Sequence, residues 1–179
     1  MDRPTTQDAA DRLNALAARL GWPLRASSSL QFDRPELNRL RDVWYEKAAG
    51  RPLPYRRDFD LRALKPNLTN LVILHREEDS GRYLIRLVGS QIVQQMGRDA
   101  TGSYLDEVTP AEVLPRWLAV YDAAMQAGAP LRCRAHYEHQ HIDHLVSESL
   151  QAPMLDDDGQ PTKLLSCAYF QLKADAPIS

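Results

Sequence analysis

The stretch RYLIRLVGSQIVQQMGRDATG, residues 82–102, decides the fold. Tyr83, Ile85 and Leu87 alternate with Arg82, Leu84, Arg86 and Val88, the period-two pattern of a strand with one face turned to a core. Gly89 ends that strand. Ile92, Val93 and Met96 then fall at helical spacing, which predicts a short helix directly after it. Gly97 and Gly102 bracket a polar loop containing Arg98, Asp99 and Thr101, where glycine permits backbone angles closed to other residues. The spaced glycines are only a weak match to a phosphate cradle, because no Gly-x-Gly opens the loop.

The size and composition around this unit are those of one soluble domain. At 179 residues, 44% of them hydrophobic and 26% charged, the chain has enough apolar material for a substantial core. The formal charge of −2 comes from interspersed acids and bases, so no field favours nucleic acid or anionic lipid. No apolar run approaches the roughly 20 residues that span a bilayer. The polar, acid-containing start MDRPTTQDAADR is unlike a secretory leader, and cytoplasmic residence is expected. Cys133 and Cys167 have no C-x-x-C spacing and imply neither a disulfide framework nor a zinc knuckle.

Working outward, residues 1–30 read as a helical extension and linker, and 31–174 as the domain proper. Ala10, Leu13, Leu16, Ala17 and Leu20 line one face of a helix that Gly21 and Pro23 stop. Its apolar stripe must dock on this chain or on a second copy, and the stripe alone does not separate the two. Residues 25–29 read as the linker. Asp33 reads as the cap of a second helix over 33–50, with Pro35 and Glu36 in its first turn and Leu37, Leu40, Trp44 and Ala48 as its stripe.

In the 54–61 segment Asp60 reads as the cap of a short turn, Pro66 should force extended backbone, and Arg56 and Arg57 offer an anion site as the alternative to a charged loop. Residues 68–75 form the first strand of a hairpin with the opening stretch. A longer helix carries Trp117, Leu118, Tyr121, Ala124 and Met125, with Pro115 at its start. Strands at 131–138, 144–154 and 162–172 follow as a meander. The expected class is α+β, a five-stranded antiparallel sheet with flanking helices.

That order resembles the PAS domain, and more narrowly a bacterial family of single PAS-like domains. The resemblance runs from about Leu37 to Leu172. It is carried by the helix with Trp44, DFD (58–60), RLVG (86–89), GRDATG (97–102) and LQAPMLDDDG (150–159). The family pattern commonly has proline after the triplet, where Leu61 stands here. Membership implies a sensor and interaction fold with a pocket between the sheet and the helices after the second strand. Ile85, Leu87, Met96, Trp117, Tyr121, Cys133 and Ala135 are the candidate lining residues for an uncharged ligand, with simple core packing as the alternative reading. Haem and flavin, used by some members, are disfavoured: the 110–128 helix has no histidine, and neither cysteine falls in the helical region.

Two further clusters carry candidate chemistry. His136, His139, His141 and His144 crowd one predicted hairpin, and His139 with His141 are the candidate metal ligands on one strand face, against the alternative of a solvated turn. Glu148 reads as a partly buried carboxylate in need of a cation, with Arg86 as the expected partner. No nucleophile elbow, phosphate loop or zinc-protease motif occurs. The expected function is a non-enzymatic signalling module that works through a protein partner and self-association as a homodimer, gated by a small ligand. The alternative is a cone-fold enzyme using His136 and Glu148 as an acid/base pair.

Overall fold

In the computed structural model, which describes residues 5–139 and 142–172, the opening stretch forms one edge of a single antiparallel sheet. The elements in chain order are α1 (Thr6–Leu20), β1 (Leu24–Ser27), α2 (Pro35–Ala48), α3 (Leu61–Leu64), β2 (Leu71–Arg76), β3 (Tyr83–Val88), α4 (Ser90–Met96), α5 (Leu105–Val108), α6 (Leu114–Ala127), β4 (Leu131–His139), β5 (Ile142–Met154) and β6 (Lys163–Leu172). The strands lie in the order β1-β4-β5-β6-β2-β3. The sheet therefore has six strands rather than the expected five. The added strand is β1, inside the segment read as a linker. It is a strand because β4 offers it a free edge: Leu24 to Ser27 pair with Ala135 to Arg132. Its own sequence buries only Ala26.

The helix starts follow their sequence signals with one exception. Thr5 and Asp8 close a capping box on α1, and Gly21 ends it in the left-handed region at φ 66°. Asp60 accepts from the Ala63 amide and caps α3. At α2 the capping position falls to Arg34, not Asp33. The side chain that serves the α2 start comes instead from β5: Glu148 accepts from the Asp33 amide at 3.1 Å and the Arg34 amide at 3.0 Å. Pro66 also departs from expectation, because residues 65–70 continue as a 3-10 helix and the strand begins only at Leu71.

Two apolar clusters sandwich the sheet. On one face α2 lays Leu37, Leu40 and Trp44 against Ile73, Leu150, Met154 and Leu165, and the Trp44 indole donates to the Pro153 carbonyl at 3.0 Å. On the other face Leu74, Tyr83, Ile85, Leu131 and Cys133 meet Val120, Tyr121 and Ala124 of α6 and Ala10 and Leu13 of α1. Helix α1 thus docks on its own chain, against α6 and β1. Asn14 reinforces that docking by exchanging two hydrogen bonds with the Ala26 backbone, at 2.9 and 2.7 Å.

The 82–102 stretch carries a β-bulge that its sequence pattern hides. Ile73 pairs with Leu87 but Leu74 with Ile85, so Arg86 is the extra residue on β3. Ile85 consequently faces α6 while Leu87 packs on the α2 side. The glycine loop then covers the outer edge of β3: the Gly102 amide donates to the Ile85 carbonyl at 2.8 Å, and the Ile85 amide to Ser103 at 3.0 Å. Arg82 stacks over the Tyr104 ring at 3.7 Å and pairs with Asp106 and Glu107, which fastens the loop. A free sheet edge is thereby removed.

Candidate functional site

The space between α6 and the sheet is the place where the sequence reading puts a ligand. It narrows to a cavity of about 20 Å³ under the first half of α6, bordered by Leu24, Trp117, Val120, Cys133 and Ala135. Small-molecule sites commonly measure about 300–1,000 Å³, so this space has room for one water. Its sheet side mixes Cys133 and Ala135 of β4 with polar residues of β5. Ser147, Ser149 and Gln151 project from β5 in sequence, all buried. Gln151 donates to Ser149 Oγ at 3.1 Å, and Ser149 Oγ donates to the Cys133 carbonyl at 3.4 Å. The Gln151 carbonyl oxygen is buried without a partner among the described residues. An orphaned acceptor in such a place costs about 1–3 kcal/mol.

The seven candidate lining residues separate into groups. Trp117, Cys133 and Ala135 border the cavity, and Ile85 and Tyr121 pack in the same apolar cluster beside it. Leu87 lies on the opposite face because of the bulge, and Met96, at the end of α4, is 38% exposed. Burial pushes the Cys133 thiol up to about 12, so it stays protonated near neutral pH. Cys167 lies on the α2 face, also buried and also shifted upward by burial. Gln151, Ser147 and Ser149 were not singled out by the sequence. Their signal is the polar half of β5, where VSESLQA places three uncharged polar residues on alternate positions.

The remaining candidates can be placed in turn. Glu148 is 7% exposed and takes Arg132, not Arg86, as its cation: Arg132 Nε and Nη2 donate to Oε1 at 2.8 and 2.6 Å. Arg86 sits exposed on the bulge of the far edge strand, where it cannot reach β5. Asp33 pairs with Arg134 and, at 3.6 Å, with Arg132. His136 and Glu148 both border a larger cleft on the α2 face. Both Glu148 oxygens are engaged by donors from Arg132, Asp33 and Arg34. The cone fold of the alternative is not the one observed, since a β2-β3 hairpin precedes α4 to α6.

His139 ends β4 and His141 lies outside the described residues. Among the described residues no group of three His, Cys, Asp or Glu side chains is arranged to hold a metal. Arg56 donates to the Phe59 carbonyl at 2.9 Å, and Arg57 stacks over Tyr55 at 4.2 Å, which places both in the local loop. In the glycine loop the Thr101, Gly102 and Ser103 amides are spent internally, on Asp99, Ile85 and Ala100.

Among solved structures the chain is similar to the light-state LOV domain of the blue-light photoreceptor Aureochrome1, at 14% identity over 64% of this chain and 90% of that one, TM-score 0.42. It is also similar to a light-oxygen-voltage domain studied with a flavin analogue, at 12% identity over 64% and 85%, TM-score 0.41. No curated protein gives a significant match. Among the described residues no helix is long and apolar enough to cross a membrane. The PAS domain family profile matches residues 32–169, most of the chain, and the chain belongs to the PAS domain family.

Proposed function

We propose that this PAS domain is a non-enzymatic sensor whose output is association with a protein partner, including a second copy of itself. The observation that carries the reading is the position of α6. One side of it borders the small cavity through Trp117 and Val120, and α1 packs against it beside β1. A molecule that enters next to Gln151 must displace α6, and α1 feels that displacement.

Helix α1 is well suited to respond. Its buried face consists of Ala9, Ala10, Leu13 and Ala17, and three alanines bury little area. At about 25 cal/mol per Å² such a face holds the helix only modestly. Its release would free an apolar stripe for a partner.

The ligand this reading takes is small, uncharged and able to donate a hydrogen bond to Gln151, and its entry widens a space that otherwise has room for one water. A ligand other than haem or flavin is favoured by the small space of about 20 Å³, by an α6 without histidine and by the place of Cys133 on a strand. The test is sedimentation velocity of the wild type and Gln151→Leu, each alone and after removal of small molecules by refolding. A dimer whose dissociation constant changes at least about tenfold with Gln151→Leu supports the reading. A monomer in both forms, indifferent to the substitution, overturns it.

A further inference from the structure

The larger cleft lies on the other face of the sheet, where β1, β4, β5 and β6 run past the start of α2. It measures about 490 Å³, inside the range of small-molecule sites. Val146 forms part of its floor, paired in register with His136 on one side and Gln171 on the other. Its walls are Trp22, Pro23 and Pro35, with Tyr169 beneath.

The charge in this cleft is unbalanced toward cations. Its two carboxylates, Asp33 and Glu148, are already taken by Arg132 and Arg134 and by the amides that lead into α2. Arg25 and Arg34 also line the cleft, and among the described residues neither has a carboxylate within ion-pair distance. Arg34 is held in place by neutral contacts, donating to Gln171 Oε1 at 3.3 Å and lying 5.7 Å over the Tyr169 ring. A guanidinium fixed by an amide and an aromatic face retains donors for a planar anion.

We propose that this cleft is a second binding site, separate from the α6 cavity, for a small aromatic carboxylate. The carboxylate bridges Arg25 and Arg34, and the ring lies over Val146 between Trp22 and Tyr169. The site is a product of the N-terminal extension. Trp22 to Arg25 and Gln171, five of the fourteen residues that line the cleft, fall outside the 32–169 segment that matches the family.

The experiment is calorimetric titration of the full chain with 1-naphthoate and with the neutral 1-naphthamide, with amide chemical shifts recorded in parallel. The expected result is saturable one-to-one binding of naphthoate, at least about tenfold weaker binding of the amide, and shifts centred on Arg34, Val146 and Gln171. Arg25→Met and Arg34→Met should each weaken naphthoate by about tenfold or more, while Arg98→Met, on the opposite sheet edge, leaves it unchanged. Arg25 is an exposed strand residue, so Arg25→Met tests the site even if Arg34→Met disturbs α2. Equal binding of acid and amide, no saturable binding at millimolar naphthoate, or shifts confined to Trp117 and Gln151 would each overturn the proposal.

Discussion

Removing the Glu148 carboxylate should be the most damaging single change on the α2 face, and removing its cation as well should undo part of it. Glu148 is 7% exposed, and its Arg132 partner has a side chain only 16% exposed. Its oxygens accept two guanidinium hydrogen bonds and the two amides that lead into α2. Glu148→Leu therefore strands a cation and two backbone donors at once, and breaking a buried pair from one side costs about 3–5 kcal/mol. Asp33 offsets little of this loss, because it is exposed and lies 3.6 Å from Arg132. Glu148→Gln keeps the shape and an acceptor oxygen but loses the charge, which sets its cost nearer 1.5–3 kcal/mol, about the worth of a charged hydrogen bond.

Arg132→Met should match the Glu148→Leu loss. The double variant should be more stable than either single one by about 1–3 kcal/mol, because it removes the stranded charge, while the Asp33 and Arg34 amides still lack their acceptor. Urea unfolding followed by circular dichroism, extrapolated linearly, gives all four corners of the cycle. The reasoning is refuted if Glu148→Leu costs less than about 1 kcal/mol, or if the double variant is no more stable than either single one.

Other perturbations probe other parts of the fold. Gly89 has an ordinary φ, but a Cβ there runs into the carbonyls of Leu68 and Thr69 in the preceding 3-10 turn, so Gly89→Ala should cost about 3 kcal/mol or more and lower the melting temperature by roughly 6–12 °C. Gln151→Leu removes the orphaned buried acceptor, at about 1–3 kcal/mol, together with one hydrogen bond to Ser149, at about 1 kcal/mol, so stability in the same urea assay should hold or rise by up to about 2 kcal/mol; a loss of more than about 1 kcal/mol contradicts this balance. His75 is held below its ordinary value of 6.5, first by burial and then by the Lys163 ammonium, whose Nζ lies 2.9 Å from its ring. The neutral ring's contribution is thus fully present above about pH 6.5 and is lost as pH falls toward the folded value. Urea midpoints should drop between about pH 7.5 and 5.5, and His75→Gln should flatten that slope; an unchanged slope contradicts the assignment.

Much of this architecture is legible in local sequence. The α2 stripe, the Asp60 cap, the glycine that ends α1 and the amphipathic β4 all rest on short-range chemistry, and the structure places them as read. What stayed hidden depends on partners distant in sequence. Strand β1 has no apolar alternation of its own and exists because β4 needs an edge partner. The Arg86 bulge separates Leu87 from Ile85, although the period-two pattern runs through both. Arg132 rather than Arg86 neutralises Glu148 because β4 is the neighbour of β5 and β3 is not, and sheet order is not written in either strand. The polar row on β5 escaped for a related reason: serines and a glutamine read as surface until the α6 face is known to be closed.

The measurement closest to the central claim is native mass spectrometry of the purified chain, followed by denaturation and an absorbance spectrum. A sensor that works by association without haem or flavin predicts a native mass of twice the 20.3 kDa chain, with absorbance from protein alone and any released molecule small. A monomer at micromolar concentration, or a stoichiometric flavin or haem released on denaturation, would contradict it.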